Sequence, residues 1–413
     1  MTEGSPPVVA QVTVPSRRFR SLGGNVLVAG LVSFFTDIAS EMIVPVLPLF
    51  LTVTLRAPVA AVGLIEGVAE STASVLRVFA GWLSDRAGRR KPLVVVGYAL
   101  SNLTKPLLAV AGAWPHVLAV RFVDRVGKGV RTAPRDALIA DSVAAEHRGL
   151  AFGFHRAMDT AGAAVGPLLA FAALALAPEH YRAVFWVAAV PGAAGILTAA
   201  LFLRDVGRPA AAARPPRLAF TRLGRPFAHF TVAATIFALG NSSDAFLILR
   251  ARNLGLSPAA IPLVYFAFNM VYALLSTPAG ALSDRLGRRR VLVAGYAVFA
   301  VVYLGFALVR VPLASWAVPA LFLVYGVYYA LAEGAQRAFV VDLVPAHLRA
   351  TALGTFATAT GLALLPASII AGRMWDALGP AAPFFYGGAA ATAALLLLLL
   401  LRERPLAIRD RPS

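Results

Sequence analysis

Stretches long and apolar enough to cross a membrane recur along this whole chain, and that pattern restricts its fold more than any other feature. A spanning helix needs about 20 apolar residues. Twelve stretches qualify: Gly24–Thr52, Ala60–Ser84, Leu93–Ala113, Val117–Ser142, Leu150–Leu174, Ala183–Leu203, Phe227–Leu249, Ala259–Ser283, Val291–Val311, Trp316–Val341, Thr351–Met374 and Ala381–Leu401. Strands are disfavoured there, because an open sheet edge in lipid leaves backbone groups unpaired. The expectation is an all-α integral membrane protein of twelve helices.

Composition agrees. Of the 413 residues, 59% are hydrophobic and 14% charged, against about a quarter charged in soluble domains. There is no cysteine, which excludes disulfides and thiolate metal sites. The polar N-terminal stretch is not followed by a short apolar core and cleavage site, so no cleaved signal peptide is expected. The net charge of +18 fits nucleic acid in a soluble protein, but here it fits cytoplasmic loops better.

Lys and Arg concentrate in alternate loops. With both termini in the cytoplasm, the inside segments hold Arg17, Arg18, Arg20, the cluster from Arg86 to Lys91, Arg148, the set from Arg204 to Arg225, the cluster from Arg285 to Arg290, Arg349 and the set from Arg402 to Arg411. The outside loops hold Arg56, Arg182, Arg250, Arg252, Arg310 and Arg373. This bias is about fourfold and sets the expected orientation. The longest gap, rich in Pro, Ala and Arg, divides the chain near its middle. The expected division is a tail over 1–23, six spans over 24–203, a basic linker over 204–226, six spans over 227–401 and a tail over 402–413.

The two parts repeat. Gly81-Trp-Leu-Ser-Asp85-Arg86-Ala-Gly88-Arg89-Arg90-Lys91 closes the second span, and Gly280-Ala-Leu-Ser-Asp284-Arg285-Leu-Gly287-Arg288-Arg289-Arg290 closes the eighth. Each is followed by an apolar run reaching Gly-Tyr, at Gly97-Tyr98 and Gly295-Tyr296. Paired six-helix halves around a central site are a known transporter plan.

These segments resemble the loop signature of the major facilitator superfamily. Gly153, Gly162 and Gly166-Pro167 resemble the fifth-helix signature of its drug:proton antiporters, although Ala170-Phe171 stand where two glycines are usual. Asp37 followed by Pro45-Val46-Leu47-Pro48 resembles the first-helix pattern of the twelve-helix exporters. In the fourth span Arg121 and Gly127 fit the family pattern, but Arg125 replaces a glycine. The resemblance runs from about Gly24 to Leu401. It implies secondary transport by alternating access, with proton antiport and efflux across the inner membrane. It also implies that Asp85 locks the outward-open state through a contact at the interface of the halves, and that the fifth span seals a gate; the glycines and Pro167 of that span permit close helix contact in any case. The expected partners are a small-molecule substrate, protons and the lipid bilayer. The expected state is a monomer without cofactor, metal or nucleic acid.

Ionisable residues inside spans are functional candidates by default, because burying them costs several kcal/mol on insertion scales. The alternative is an interior ion pair or a side chain snorkelling near a helix end. At 100° per residue, Arg121, Asp124, Arg125, Lys128, Arg131, Arg135 and Asp136 share an arc of roughly 140°. Such a stripe lines a cavity or pairs with other helices. Carboxylates are available at Asp37 and Glu41, and at Glu66 and Glu70, each pair four residues apart on one helix face. The fifth span adds His155, Arg156 and Asp159. Competition of a substrate with a proton for such a carboxylate is a physical basis for antiport; an anionic substrate instead takes an arginine.

The C-terminal half offers Asp244, placed roughly where Asp37 sits in the first span, and Glu333, Gln336 and Arg337. Glu333 and Arg337 lie at i and i+4, where mutual neutralisation competes with function. Tyr265, Asn269, Tyr272, Tyr325, Tyr328 and Tyr329 either line a pocket or pack. By the register of the repeated loop, Glu66 and Glu70 correspond to Tyr265 and Asn269, so the costly charges concentrate in the N-terminal half, where coupling is expected.

Other functions fit the sequence less well. An enzyme needs a nucleophile–base set or metal ligands, and the six histidines are scattered with no HExxH, GxSxG or P-loop pattern. A sensor would carry a soluble output domain. Within transport, uptake or facilitated flux of a polar or anionic solute stays open. So does metal-ion export through hard oxygen ligands, against which the neighbouring arginines argue.

Overall fold

A computed structural model describes residues 23–87, 89–206, 223–345 and 348–401. The expected tails, most of the expected linker and Gly88 lie outside the described residues. So do the surroundings of Gly81 and the side chains of Asp85 and Arg86; the expected lock depends on Asp85.

The described residues are helical throughout, with no strand among them. The elements are α1 (Gly24–Ile43), α2 (Leu47–Leu49), α3 (Val59–Ala87), α4 (Lys91–Leu103), α5 (Lys105–Ala109), α6 (Trp114–Asp141), α7 (Arg148–Leu176), α8 (Tyr181–Phe202), α9 (Arg225–Gly240), α10 (Ala245–Asn253), α11 (Ala260–Leu286), α12 (Arg288–Leu308), α13 (Ala314–Asp342), α14 (Arg349–Leu378) and α15 (Ala382–Leu400).

Among these residues, ten helical stretches are long and apolar enough to cross a membrane. Two of the twelve expected spans fall short, for different reasons. The third breaks into α4 and α5 at Thr104, where Lys105-Pro106 interrupts the apolar run. The fourth, α6, has 28 residues but carries the charged stripe, and its hydropathy is too low. Two other spans bend and stay continuous. One runs from α1 through a turn at Pro45 into α2 and a five-residue π-helical stretch, Phe50–Thr54. The other runs from α9 through Asn241–Asp244 into α10.

Helix contacts depend on small residues, as expected where lipid supplies no hydrophobic drive between helices. The α3–α14 pair packs most extensively. A Cβ on Gly67 would lie 3.0 Å from the Leu365 carbonyl oxygen, and one on Gly372 2.7 Å from the Ala60 Cα. The exposed N-terminus of α3 is closed by Asp376 of α14, whose carboxylate accepts from the Val59 and Ala60 amides at 3.1 and 2.8 Å. That satisfies two orphan donors and places negative charge at the positive helix end. Arginines serve the opposite polarity: Arg250 donates to the carbonyls of Phe306, Ala307 and Val309 at the end of α12, and Arg182 donates to those of Ala109 and Ala111 at the end of α5.

The helices after the two repeated loops are anchored alike. Arg90 pairs with Asp141, the last residue of α6. Arg288 pairs with Asp342, the last residue of α13. Gly287 has φ +93°, a backbone conformation that residues with a Cβ rarely adopt, which favours glycine at this place in the signature.

Candidate functional site

The stripe expected on the fourth span forms on α6. Arg121, Asp124, Arg125 and Arg131 are buried there and, with Lys128, line a cavity of about 340 Å3. Asp37 and Glu41 enter from α1, Glu66 and Glu70 from α3, and Asp244 from the bend between α9 and α10. Each break in a span serves this space. The bend after α9 presents Asp244, and the α4–α5 break presents Lys105.

The lining charges fall into three sets. Glu66, Glu70 and Asp124 are held by two arginines. Arg121 donates to both Glu66 oxygens, at 2.9 and 3.0 Å, and to Asp124 at 3.3 Å. Arg125 lies 3.2 Å from Glu70 and 3.7 Å from Asp124, and Ser101 donates to Asp124 at 2.5 Å. This is a tied lattice.

Asp37, Glu41 and Asp244 have no ion-pair partner among the described residues. Glu41 faces Tyr265, while its Oε2 is buried without a partner. Asp244 accepts from Tyr325 at 2.8 Å and Tyr329 at 3.5 Å.

Lys105, Lys128 and Arg131 likewise have no carboxylate partner among the described residues. Lys105 donates to Asn102 at 2.6 Å and to the Thr36 carbonyl at 3.3 Å. The Arg131 guanidinium sits 4.1 Å from the Tyr98 ring centroid, with Nε and Nη1 buried and unpartnered.

The glycines of α7 position the α1 carboxylates. A Cβ on Gly162 would meet the Phe34 carbonyl oxygen at 2.6 Å and the Asp37 Cβ at 3.0 Å; one on Gly166 would meet the Glu41 Cβ at 2.8 Å. Pro167 is buried beside them. Gly153 of the same signature faces open space, so close helix contact does not account for it.

Six expected site residues do not line the cavity. Arg135 binds Asp136 and reaches Ser33. His155 is spent on Ser33, at 2.8 Å, and lies 3.5 Å from Asp159. Arg156 donates to Tyr272 at 3.1 Å, Tyr272 donates to Glu333, and Arg337 donates to Glu333 at 2.9 Å. Glu333 and Arg337 thus pair along one helix. In the second loop, Asp284 pairs with Arg288 of the adjoining helix α12 at 3.3 Å, and Arg285 and Gly280 face outward. In the first, Arg89 is exposed. No group of His, Cys, Asp and Glu suited to a metal ion occurs among the described residues.

Lys105 was missed in the sequence. Its signal was an ionisable residue within an otherwise apolar run, directly before a proline.

A family profile for the Major Facilitator Superfamily matches residues 29–249 and again 227–413. The chain belongs to the Major Facilitator Superfamily. This superfamily member is 37% identical over 362 residues to an uncharacterised MFS-type transporter of Methanocaldococcus jannaschii, covering 86% of this chain and 89% of that one. It is 26% identical over 329 residues to a probable 4-methylmuconolactone transporter of Cupriavidus pinatubonensis, covering 74% and 73%. The fold is similar to that of the nucleoside transporter NupG, with a TM-score of 0.76 at 13% identity, over 92% of this chain and 100% of that one. The chain is therefore a multi-pass membrane transporter of small molecules and not an enzyme.

Proposed function

We propose that the chain is a proton-coupled secondary transporter of small solutes in the inner membrane, working by alternating access between two six-helix bundles. In this reading α4–α5 and α6 complete a count of twelve spans, since charge facing a cavity does not prevent a helix from crossing. Both termini lie in the cytoplasm, as the loop arginines argue. The observation that carries the coupling is the set Asp37, Glu41 and Asp244, three cavity carboxylates without an ion-pair partner. An unpaired carboxylate in a low-dielectric site is free to take and release a proton; one held by arginine is not.

The sign of coupling follows from substrate charge. A cation competes with protons for the carboxylates and gives antiport, hence efflux, which the glycine signature of α7 favours by resemblance. An anion binds best when the carboxylates are protonated and gives cotransport. The three unpaired cations of the same cavity favour this second reading.

The test is flux in proteoliposomes under an imposed pH gradient, across a panel of organic cations, anions and neutral solutes. Uphill movement of at least one class is expected, and its dependence on the gradient is lost in Asp37→Asn, Glu41→Gln or Asp244→Asn. Flux indifferent to the gradient for every solute transported overturns the proposal.

A further inference from the structure

We infer that the substrate is a small organic anion whose carboxylate, sulfonate or similar group is received by Arg131, Lys128 and Lys105, and that it moves together with protons. This rests on the proton-coupled reading above and names the substrate class of that cavity.

The first observation is the state of Arg131. It is 5% exposed, lines the cavity, stacks on Tyr98 and leaves Nε and Nη1 unpartnered. A buried guanidinium normally has its donors satisfied, because leaving them unmade carries the full desolvation penalty. The planar fork matches a carboxylate or sulfonate in a bidentate manner. Tyr98 holds the guanidinium plane without using its donors.

The second observation is the charge balance of the lining. Six carboxylates stand against five cations, so the wall carries one negative charge when all are ionised. When Asp37, Glu41 and Asp244 carry protons it carries two positive charges. The groups facing Asp37 are Lys128, Arg131 and Arg135 of α6, Asp159 of α7, Lys105 of α5 and Glu41 on its own helix. Those facing Glu41 are Asp37 on its own helix, Lys128 and Arg125 of α6, and Tyr265 of α11. Asp244 faces Tyr325 and Tyr329 of α13 and, more distantly, Glu66 and Glu70 of α3. Protonation at the first two therefore frees the cations to hold an incoming anion. Anion and proton favour each other's binding, which is reciprocal by linkage, and both are carried across in one step.

The third observation is the body of the cavity. Tyr265, Tyr329, Leu364, Leu108 and Val120 give the lining an apolar and aromatic part. The apolar part of a small molecule fits against them, while the anionic end lies toward α6.

The absence of native cysteine permits a test that needs no known substrate. Ser40, between Asp37 and Glu41 on the cavity wall, is replaced in the full chain as Ser40→Cys. Its reaction rate is measured with a sulfonate, a quaternary ammonium and a neutral methanethiosulfonate reagent, each normalised to a free thiol. At mildly acidic pH the sulfonate reagent is expected to gain on the ammonium reagent by about tenfold, the scale of charge discrimination in a partly desolvated site. The gain fades at mildly alkaline pH and is lost in Ser40→Cys with Arg131→Gln and Lys128→Gln. Equal rates, a preference for the ammonium reagent, or failure of even the neutral reagent to react overturns the assignment. In parallel, wild-type proteoliposomes are offered benzenesulfonate, benzenesulfonamide and benzyltrimethylammonium. Movement of benzenesulfonate with the proton gradient is expected; gradient-driven movement of benzyltrimethylammonium alone overturns the anion while leaving proton coupling intact.

Discussion

The two walls of the cavity solve one problem in different ways. On the side of α3 and α6, buried carboxylates are held by arginines: Glu66 by Arg121, Glu70 by Arg125, and Asp124 between them. On the side of α9, α11 and α13, the carboxylate Asp244 is held by tyrosine hydroxyls. Counted back from the terminal aspartates Asp141 and Asp342, Asp124 corresponds to Tyr325 and Lys128 to Tyr329. An ion-pair wall fixes the charge state of its carboxylates. A tyrosine wall satisfies an acid with neutral donors, and so leaves its charge free to change. The difference separates scaffold from candidate coupling groups more sharply than the presence of charge does.

The largest expected effect breaks the first wall. Glu66→Gln leaves Arg121 buried without its bidentate partner, and removing one member of a buried pair destabilises by about 3–5 kcal/mol. The melting temperature in detergent is expected to fall steeply. Glu66→Met combined with Arg121→Met is expected to recover much of the loss, because replacing a whole buried pair by apolar groups is often nearly neutral. A double variant as unstable as the single one would show that the Arg121 contact with Asp124 matters as much as the one with Glu66.

Much of this was legible in the sequence. The loop pairs and the apolar runs place the family, and the periodicity of Arg121, Asp124, Arg125, Lys128 and Arg131 places the charged wall, because helical spacing alone decides which residues share a face. What the sequence hides is pairing across helices. Nothing local distinguishes Glu66, tied to Arg121, from Glu41, which is not. His155 and Asp159 look like cavity groups, yet His155 turns to Ser33. Lys105 enters the site only because its helix breaks beside it. Most charged lining residues come from α1, α3, α5 and α6, while Asp244, Tyr265, Tyr329 and Ser368 line the same cavity from later in the chain.

A second experiment sharpens the comparison at the unpaired carboxylates. Gly162→Ala places a methyl group 3.0 Å from the Asp37 Cβ and 2.6 Å from a backbone oxygen. Overpacking of this kind costs about 1–3 kcal/mol. Gly153→Ala, which meets open space, is expected to match or slightly exceed the wild type, since alanine is the better helix former. The prediction is checked by melting temperature together with the pH dependence of flux. Equal behaviour of the two variants would remove the argument that these glycines seat Asp37.

On the tyrosine wall, Tyr325→Phe deletes the 2.8 Å donor to Asp244. A buried hydrogen bond to an acid is worth about 1–2 kcal/mol, so the loss in stability should be well below that of Glu66→Gln. Removing a donor to the ionised form also favours the protonated acid. The pH at which flux is half-maximal is therefore expected to move upward. An unchanged pH profile would place Asp244 among the structural acids.

The smallest effect is expected at the neighbouring residue. Tyr329 reaches Asp244 at 3.5 Å, the outer limit for a useful hydrogen bond, so Tyr329→Phe should cost only about a few tenths of a kcal/mol, below the net worth of a well-formed bond. Its hydroxyl nevertheless belongs to a residue that lines the cavity, at the position corresponding to Lys128 on the other wall. If the two walls divide their labour, with cations receiving the solute and tyrosines tending the acid, Tyr329→Phe leaves stability nearly unchanged and shifts the pH profile less than Tyr325→Phe does. Lys128→Gln, by contrast, raises the half-saturating solute concentration and leaves that profile closer to wild type. Measuring both quantities for both variants decides it. A Tyr329→Phe variant with normal pH dependence and weakened solute affinity would move this tyrosine from the acid to the solute, and the walls would then share one task rather than divide two.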